Sequence, residues 1–130
     1  MENQRHEVVH ERDLAWRTSR QLADGGALLW KTLVGGGQNG EDGLSLGLAK
    51  IPPGEALRLH SHEQSEIYLV LEGEGMVEIG GERHGVEPGS AVFVPGGTAH
   101  SCENTSDSDL LLAYAFPARS IEEVEYVFGQ

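Results

Sequence analysis

The chain has 130 residues, one domain's worth of sequence, enough for a single core and too short for two. Its 21 acidic residues against 9 basic ones give a net charge of −12, which speaks against non-specific binding to nucleic acid or anionic lipid. No apolar run approaches the roughly 20 residues a membrane span needs, and the polar, mixed-charge start (MENQRHEVVHERD) is no secretory leader. The expectation is a soluble, cytoplasmic protein with neither membrane nor nucleic-acid partner. The lone Cys102 cannot close an internal disulfide and suits a reducing compartment as a buried, inert thiol.

Eighteen glycines punctuate short apolar runs instead of forming one tract, the pattern of many strands joined by tight turns. Residues 1–26 read as an N-terminal arm with Leu14 and Trp16 as docking points, and 27–34 (ALLWKTLV) as a strand. A flexible loop, 35–43, precedes Leu44, Leu46 and Leu48, which alternate with small residues at strand period before Pro52-Pro53-Gly54 turns the chain. Strands are then expected at 66–71, 76–79, 83–86 and 90–94, with Gly80-Gly81 as a hairpin signal. Residues 110–116 read as the last strong strand, 120–124 as a short helical turn and 125–128 as an extended tail. Eight or so close strands without an amphipathic helix predict an all-β sandwich or barrel over 27–118, with 119–130 packing on it as a C-terminal tail.

His60 and His62 are one residue apart, so extended backbone points both imidazoles to one face. Glu66 opens the next strand, and His100 arrives from a turn after a separate one. Three imidazoles and a carboxylate suit a divalent transition metal (Fe, Mn, Ni, Co, Zn or Cu) and leave up to two positions open for a substrate. Tyr68, two residues after Glu66, falls on the metal side as a candidate base or as a prop for Glu66. Arg58, by the same alternation with His60, reads either as an inward residue that holds a substrate carboxylate or as an exposed strand residue. Trp30, Phe93 and Tyr114 are expected to pack the barrel and wall its pocket. His6, His10 and His84 lie outside the pattern and read as solvated.

The spacing carries a resemblance. Gly54, five residues, His60-Ser61-His62, three residues, Glu66, six residues and Gly73 resemble the first motif of the cupin superfamily. Gly89, five residues, Pro95-Gly96-Gly97, two residues, His100, three residues and Asn104 resemble its second. The resemblance covers residues 44–116. It implies a single jelly-roll (double-stranded β-helix) barrel, His60, His62, Glu66 and His100 as metal ligands, and a homodimer joined by the arm or an outer sheet.

A narrower resemblance is to the small cupin dimethylsulfoniopropionate lyases, through Gly43-Leu44-Ser45-Leu46-Gly47, Glu66-Ile67-Tyr68, Phe116-Pro117 and Glu123-Val124-Glu125-Tyr126. Gln64 departs from it, standing where that group tends to have proline. It implies metal-assisted β-elimination with Tyr68 abstracting the α-proton and Tyr126 closing the pocket. The other readings are an Fe(II)-dependent dioxygenase and a non-catalytic cupin that binds or senses a small ligand.

Overall fold

The structure is a computed structural model and describes residues 7–35, 43–118 and 124–129. The loop expected at 35–43 and the helical turn expected at 120–124 fall largely outside these residues. One 3-10 turn, Glu11–Asp13, and eleven strands make up the regular structure among the described residues. They form two antiparallel sheets. The six-stranded sheet runs β1 (Arg17–Ser19), β2 (Leu28–Val34), β3 (Ser45–Ile51), β10 (Leu110–Phe116), β5 (Glu66–Glu72), β8 (Ala91–Val94). The five-stranded sheet runs β11 (Val127–Phe128), β4 (Ala56–Ser61), β9 (His100–Asn104), β6 (Gly75–Ile79), β7 (Glu82–Val86). No helix among the described residues is long and apolar enough to cross a membrane.

Alternation does the sorting. In β5 and β10 every second side chain is buried, and Tyr68, Val70, Leu112 and Tyr114 meet Val77, Val86 and Cys102 of the other sheet in one core. Gly80 and Gly81 have φ of 57° and 89°, the paired positive angles of a type I′ turn, and join β6 to β7 as a tight hairpin.

Two local departures from simple alternation shape the site. At the start of β3 Leu44 and Leu46 are exposed while Ser45 and Gly47 are buried; Leu48, on the same side as Leu46, is buried. The inner side needs small residues there, because a Cβ on Gly47 would overlap the Tyr114 ring. In β4 the pairing shifts, with Leu57 opposite Cys102 and His60 opposite His100, so three steps on β4 answer two on β9. Such a bulge turns both Leu57 and His60 inward and re-aims the residues between them.

The N-terminal arm docks on the outer side of β2 and β3. Lys31 is buried and donates to the Glu11 carboxylate (2.7 Å), the Glu11 carbonyl (2.6 Å) and the Leu14 carbonyl (3.1 Å). The ammonium groups of Lys31 and Lys50 both sit over the Trp16 ring, at 4.4 and 4.5 Å.

Candidate metal centre

The site lies between the sheets. His60 and His100 face each other as cross-strand partners on β4 and β9. His62 follows β4 by one residue, and Glu66 opens β5 in the opposite sheet. All four are buried. Two turns hold the connecting loop: Gly97 N–H donates to the His62 carbonyl (2.7 Å), and Gly96 N–H donates to Ser65 Oγ (3.1 Å).

Each imidazole is oriented by a backbone carbonyl two residues away. Nδ1 of His60 donates to Arg58 O (2.7 Å), that of His62 to Gln64 O (2.8 Å), and that of His100 to Thr98 O (2.9 Å). A carbonyl only accepts, so each Nδ1 carries the proton and each Nε2 is left to face the site. The ligand atoms of the three histidines lie within 4.8 Å of one another. His100 Nε2 is buried without a hydrogen bond. An orphaned imidazole nitrogen in a dry site, with its Nδ1 fixed by a carbonyl, is the arrangement a metal ligand needs. The three histidines therefore fit a metal ion.

Glu66 Oε1 lies 3.0 Å from His62 Nε2 and 3.4 Å from His100 Nε2. Burial alone would raise the Glu66 pKa, but its contacts with His100 and His62 pull it below the ordinary carboxylate value. For His62, burial works against the proton, yet the hydrogen bond and charge of Glu66 win and leave its pKa raised. The His62 ring thus contacts the Gln64 carbonyl through Nδ1 and the Glu66 carboxylate through Nε2. Burial, then the proximity of His100, push His60 down to about 4. Tyr68 is wholly buried, and burial followed by the Glu66 charge holds its phenol well above 10. Burial likewise pushes the Cys102 thiol up to about 12, leaving it inert.

A cavity of about 50 Å³ opens beside these groups, walled by Trp30, Tyr68, Tyr114, Phe116 and Tyr126 together with aliphatic side chains. Tyr126 reaches it because β11 pairs with the end of β4, Val127 opposite Ser61 and Phe128 opposite His60. The Tyr126 ring stands 5.4 Å from that of His60 and 5.7 Å from that of His62.

Two expected substrate residues are elsewhere. Arg58 is absent from the cavity wall, since the bulge turns it aside; its guanidinium lies over the Phe128 ring at 4.0 Å and reaches Gln21 O at 3.4 Å. It serves the site through its carbonyl instead. Phe93 is 62% exposed on the outer face of β8, because that strand pairs Ile67 with Phe93 and both point away from the core. His10 and His84 are exposed, and His6 lies outside the described residues. Sequence reasoning passed over Gly47, whose missing side chain seats Tyr114, and Thr98, whose carbonyl aims His100. Gly47 was legible as one of the small residues between the leucines; a backbone carbonyl leaves no sequence signal.

Residues 47–116 match the cupin domain family. A dimethylsulfoniopropionate lyase, DddW, of Ruegeria pomeroyi is 38% identical over 103 residues, 79% of this chain and 67% of that protein. An oxalate-binding protein of Thermotoga maritima is 42% identical over 62 residues, 47% of this chain and 51% of that protein. Among solved structures, a predicted oxalate decarboxylase from Thermotoga maritima superposes with a TM-score of 0.79 at 25% identity, covering 86% of this chain and 99% of that one. Sequence match, two-sheet architecture and converging histidines agree: the chain belongs to the cupin domain family.

Proposed function

We propose that the protein is a metal-dependent lyase that cleaves dimethylsulfoniopropionate, or a close β-sulfonio carboxylate, by β-elimination. His60, His62, His100 and Glu66 would hold one divalent transition metal. The observation that carries the reading is the character of the cavity wall. It is aromatic and aliphatic around the histidines, and among the described lining residues there is no lysine or arginine. A small dianion such as oxalate would want a fixed cation beside it. A zwitterion whose sulfonium rests on aromatic faces and whose carboxylate turns to the metal centre suits this wall better. The relative named as a dimethylsulfoniopropionate lyase supports the same choice.

In the elimination, a base removes the proton on the carbon next to the carboxylate. The C–H electrons become the new double bond, and the carbon–sulfur bond breaks with its pair leaving on sulfur, so that dimethyl sulfide and acrylate form. A bound divalent cation supplies positive charge that draws the substrate carboxylate, acidifies the neighbouring carbon and favours phenolate over phenol. Tyr68 is the base in this reading: it stands on the cavity wall, and its contact with Glu66 makes its phenolate a strong acceptor once formed. Trp30, Tyr114 and Tyr126 exclude water and face the sulfonium. The cavity of about 50 Å³ is small beside the roughly 300–1,000 Å³ clefts that hold drug-sized ligands, so entry opens the Tyr126 segment.

The test is dimethyl sulfide release by the metal-loaded protein and by Tyr68→Phe. The expected result is release by the wild type and a loss of about 10²–10⁴ in kcat for the variant, with metal content unchanged. Oxygen uptake that persists in Tyr68→Phe would move the protein to the dioxygenases. Ligand-induced stabilisation without product would make it a binding module.

A further inference from the structure

The cavity is covered from two distant parts of the chain. Leu22 and Tyr126 both stand on its wall, the first from the N-terminal arm and the second from the C-terminal tail. Each cover is tied to β4 by backbone. On the N-terminal side Ala23 bridges Leu57, Asp24 N–H donates to the Ala56 carbonyl (3.0 Å) and Arg58 N–H donates to the Leu22 carbonyl (2.8 Å). On the C-terminal side Val127 and Phe128 pair with Ser61 and His60, and Gly129 N–H donates to the Leu59 carbonyl (3.1 Å).

Arg58 touches both covers. Its N–H holds Leu22, its guanidinium lies over the Phe128 ring at 4.0 Å, and Nη1 reaches the Gln21 carbonyl at 3.4 Å. Phe128 in turn stacks on Tyr126, with ring centroids 6.2 Å apart. Contact therefore runs from Gln21 and Leu22 through one side chain to Phe128 and Tyr126. A further tie runs inward, since the Arg58 carbonyl accepts from Nδ1 of His60 (2.7 Å).

We propose that Arg58 is a positioning residue that clasps the two covers together, so that they open and close over the cavity as one. The chemistry of the side chain suits the task. A guanidinium is planar, so its face rests on an aromatic ring while its edge N–H groups reach a carbonyl; a compact ammonium has no such division. The bulge in β4 supplies the direction, because it turns Arg58 out of the cavity and towards both covers. Covers that moved independently would leave the cavity half open, with water reaching the histidines past whichever had lifted. Coupled covers admit a ligand and exclude water in a single step. The purpose of the clasp rests on the lyase reading of this cavity, but its geometry involves neither metal nor substrate.

Amide hydrogen exchange on the full chain, followed by NMR, tests the clasp without either. Asp24 reports the N-terminal cover and Gly129 the C-terminal one, while Val70, bonded to the Ser90 carbonyl (2.9 Å), reports the barrel. Arg58→Gln is expected to speed exchange at Asp24 and Gly129 by about tenfold each, the scale of a partly desolvated cation–π contact, and to leave Val70 unchanged. Phe128→Ala is expected to do the same, although it alters only the C-terminal cover. With Arg58→Gln already present, Phe128→Ala is expected to add nothing at Asp24. If Arg58→Gln quickens Val70 as well, Phe128→Ala alone decides. Exchange at Asp24 that ignores Phe128→Ala, or that still responds to it once the guanidinium is gone, would overturn the proposal. Either result leaves the lyase reading to its own test, the release of dimethyl sulfide.

Discussion

The groups that converge on the metal centre and the groups that close over it are held in different ways. His60, His100 and Glu66 stand on strands inside long ladders: β4 and β9 pair with each other, and β5 is flanked on both sides by β10 and β8. The cover is lighter. Tyr126 hangs from β11, which contributes two register pairs, and Leu22 hangs from a single bridge between Ala23 and Leu57 with the backbone bond Arg58 N–H to Leu22 O (2.8 Å). A floor fixed by ladders keeps ligand geometry constant, while a roof held by a few bonds opens at small cost. In the proposed reading, substrate exchange would thus be separated from metal binding within one small barrel.

Removing a floor residue is the harshest way to break that contrast. His100→Ala is expected to weaken metal uptake by more than about 100-fold, since even outer partners of metal-bound histidines cost 10–100-fold. Calorimetry or metal analysis after gel filtration reads this directly, and full uptake by the variant would remove His100 from the site.

Protons probe the same floor without a mutation. His60 has its pKa lowered to about 4 against an ordinary 6.5, so below 6.5 the unfolded chain binds a proton that the folded chain refuses. Stability of the metal-free protein is therefore expected to fall as pH drops from 6.5 towards 4, by on the order of 3 kcal/mol from this group. The lowered Glu66 adds its own loss below about 4.5. The raised His62 acts in the other window: its contribution is full below 6.5 and is lost as pH rises through its folded value. Thermal melts of metal-free protein from pH 4 upward should show the lower limb, and any loss of stability above pH 6.5 that belongs to His62 should vanish in His62→Gln.

The roof gives smaller effects. Phe128→Ala removes the ring on which Arg58 rests and against which Tyr126 stacks, at 22° between ring planes. It is expected to raise KM by about tenfold and leave metal uptake untouched, because about 1.4 kcal/mol of closure is lost. A matching fall in metal uptake would show that floor and roof are not separable. Lys31→Met loosens the arm that carries Leu22; a loss of about 1–2 kcal/mol in chemical denaturation is expected, with little change at the metal centre.

The contrast also explains what could be read in advance. The ladder-borne parts were legible: strand 110–116 was placed to the residue as β10, and the histidine and glutamate spacing marked groups that do meet. Turn glycines, too, betray their sites, as Gly80 and Gly81 did. What escaped depended on pairing rather than on local sequence. The Leu57–His60 bulge exists only because β9 is there to be mispaired with, so alternation sent Arg58 inward when it lies outside. Phe93, expected to pack the barrel or wall its pocket, lies between two valines, and only the register with Ile67 reveals its outward side. β1 and β11 are three and two residues long, too short to carry a period.

The facing of His60 and His100 across β4 and β9 has a consequence for folding. These residues are forty positions apart in the chain, and their imidazoles meet only in one alignment of the two strands. A slip of one residue would set Leu59 or Ser61 opposite His100 and turn the imidazole of His60 to the other side. A metal ion held by the three histidines would bind the correct alignment and not the slipped one, and would so act as a proofreader of strand pairing. Refolding yield should then rise with metal in wild type and lose that dependence in His60→Ala.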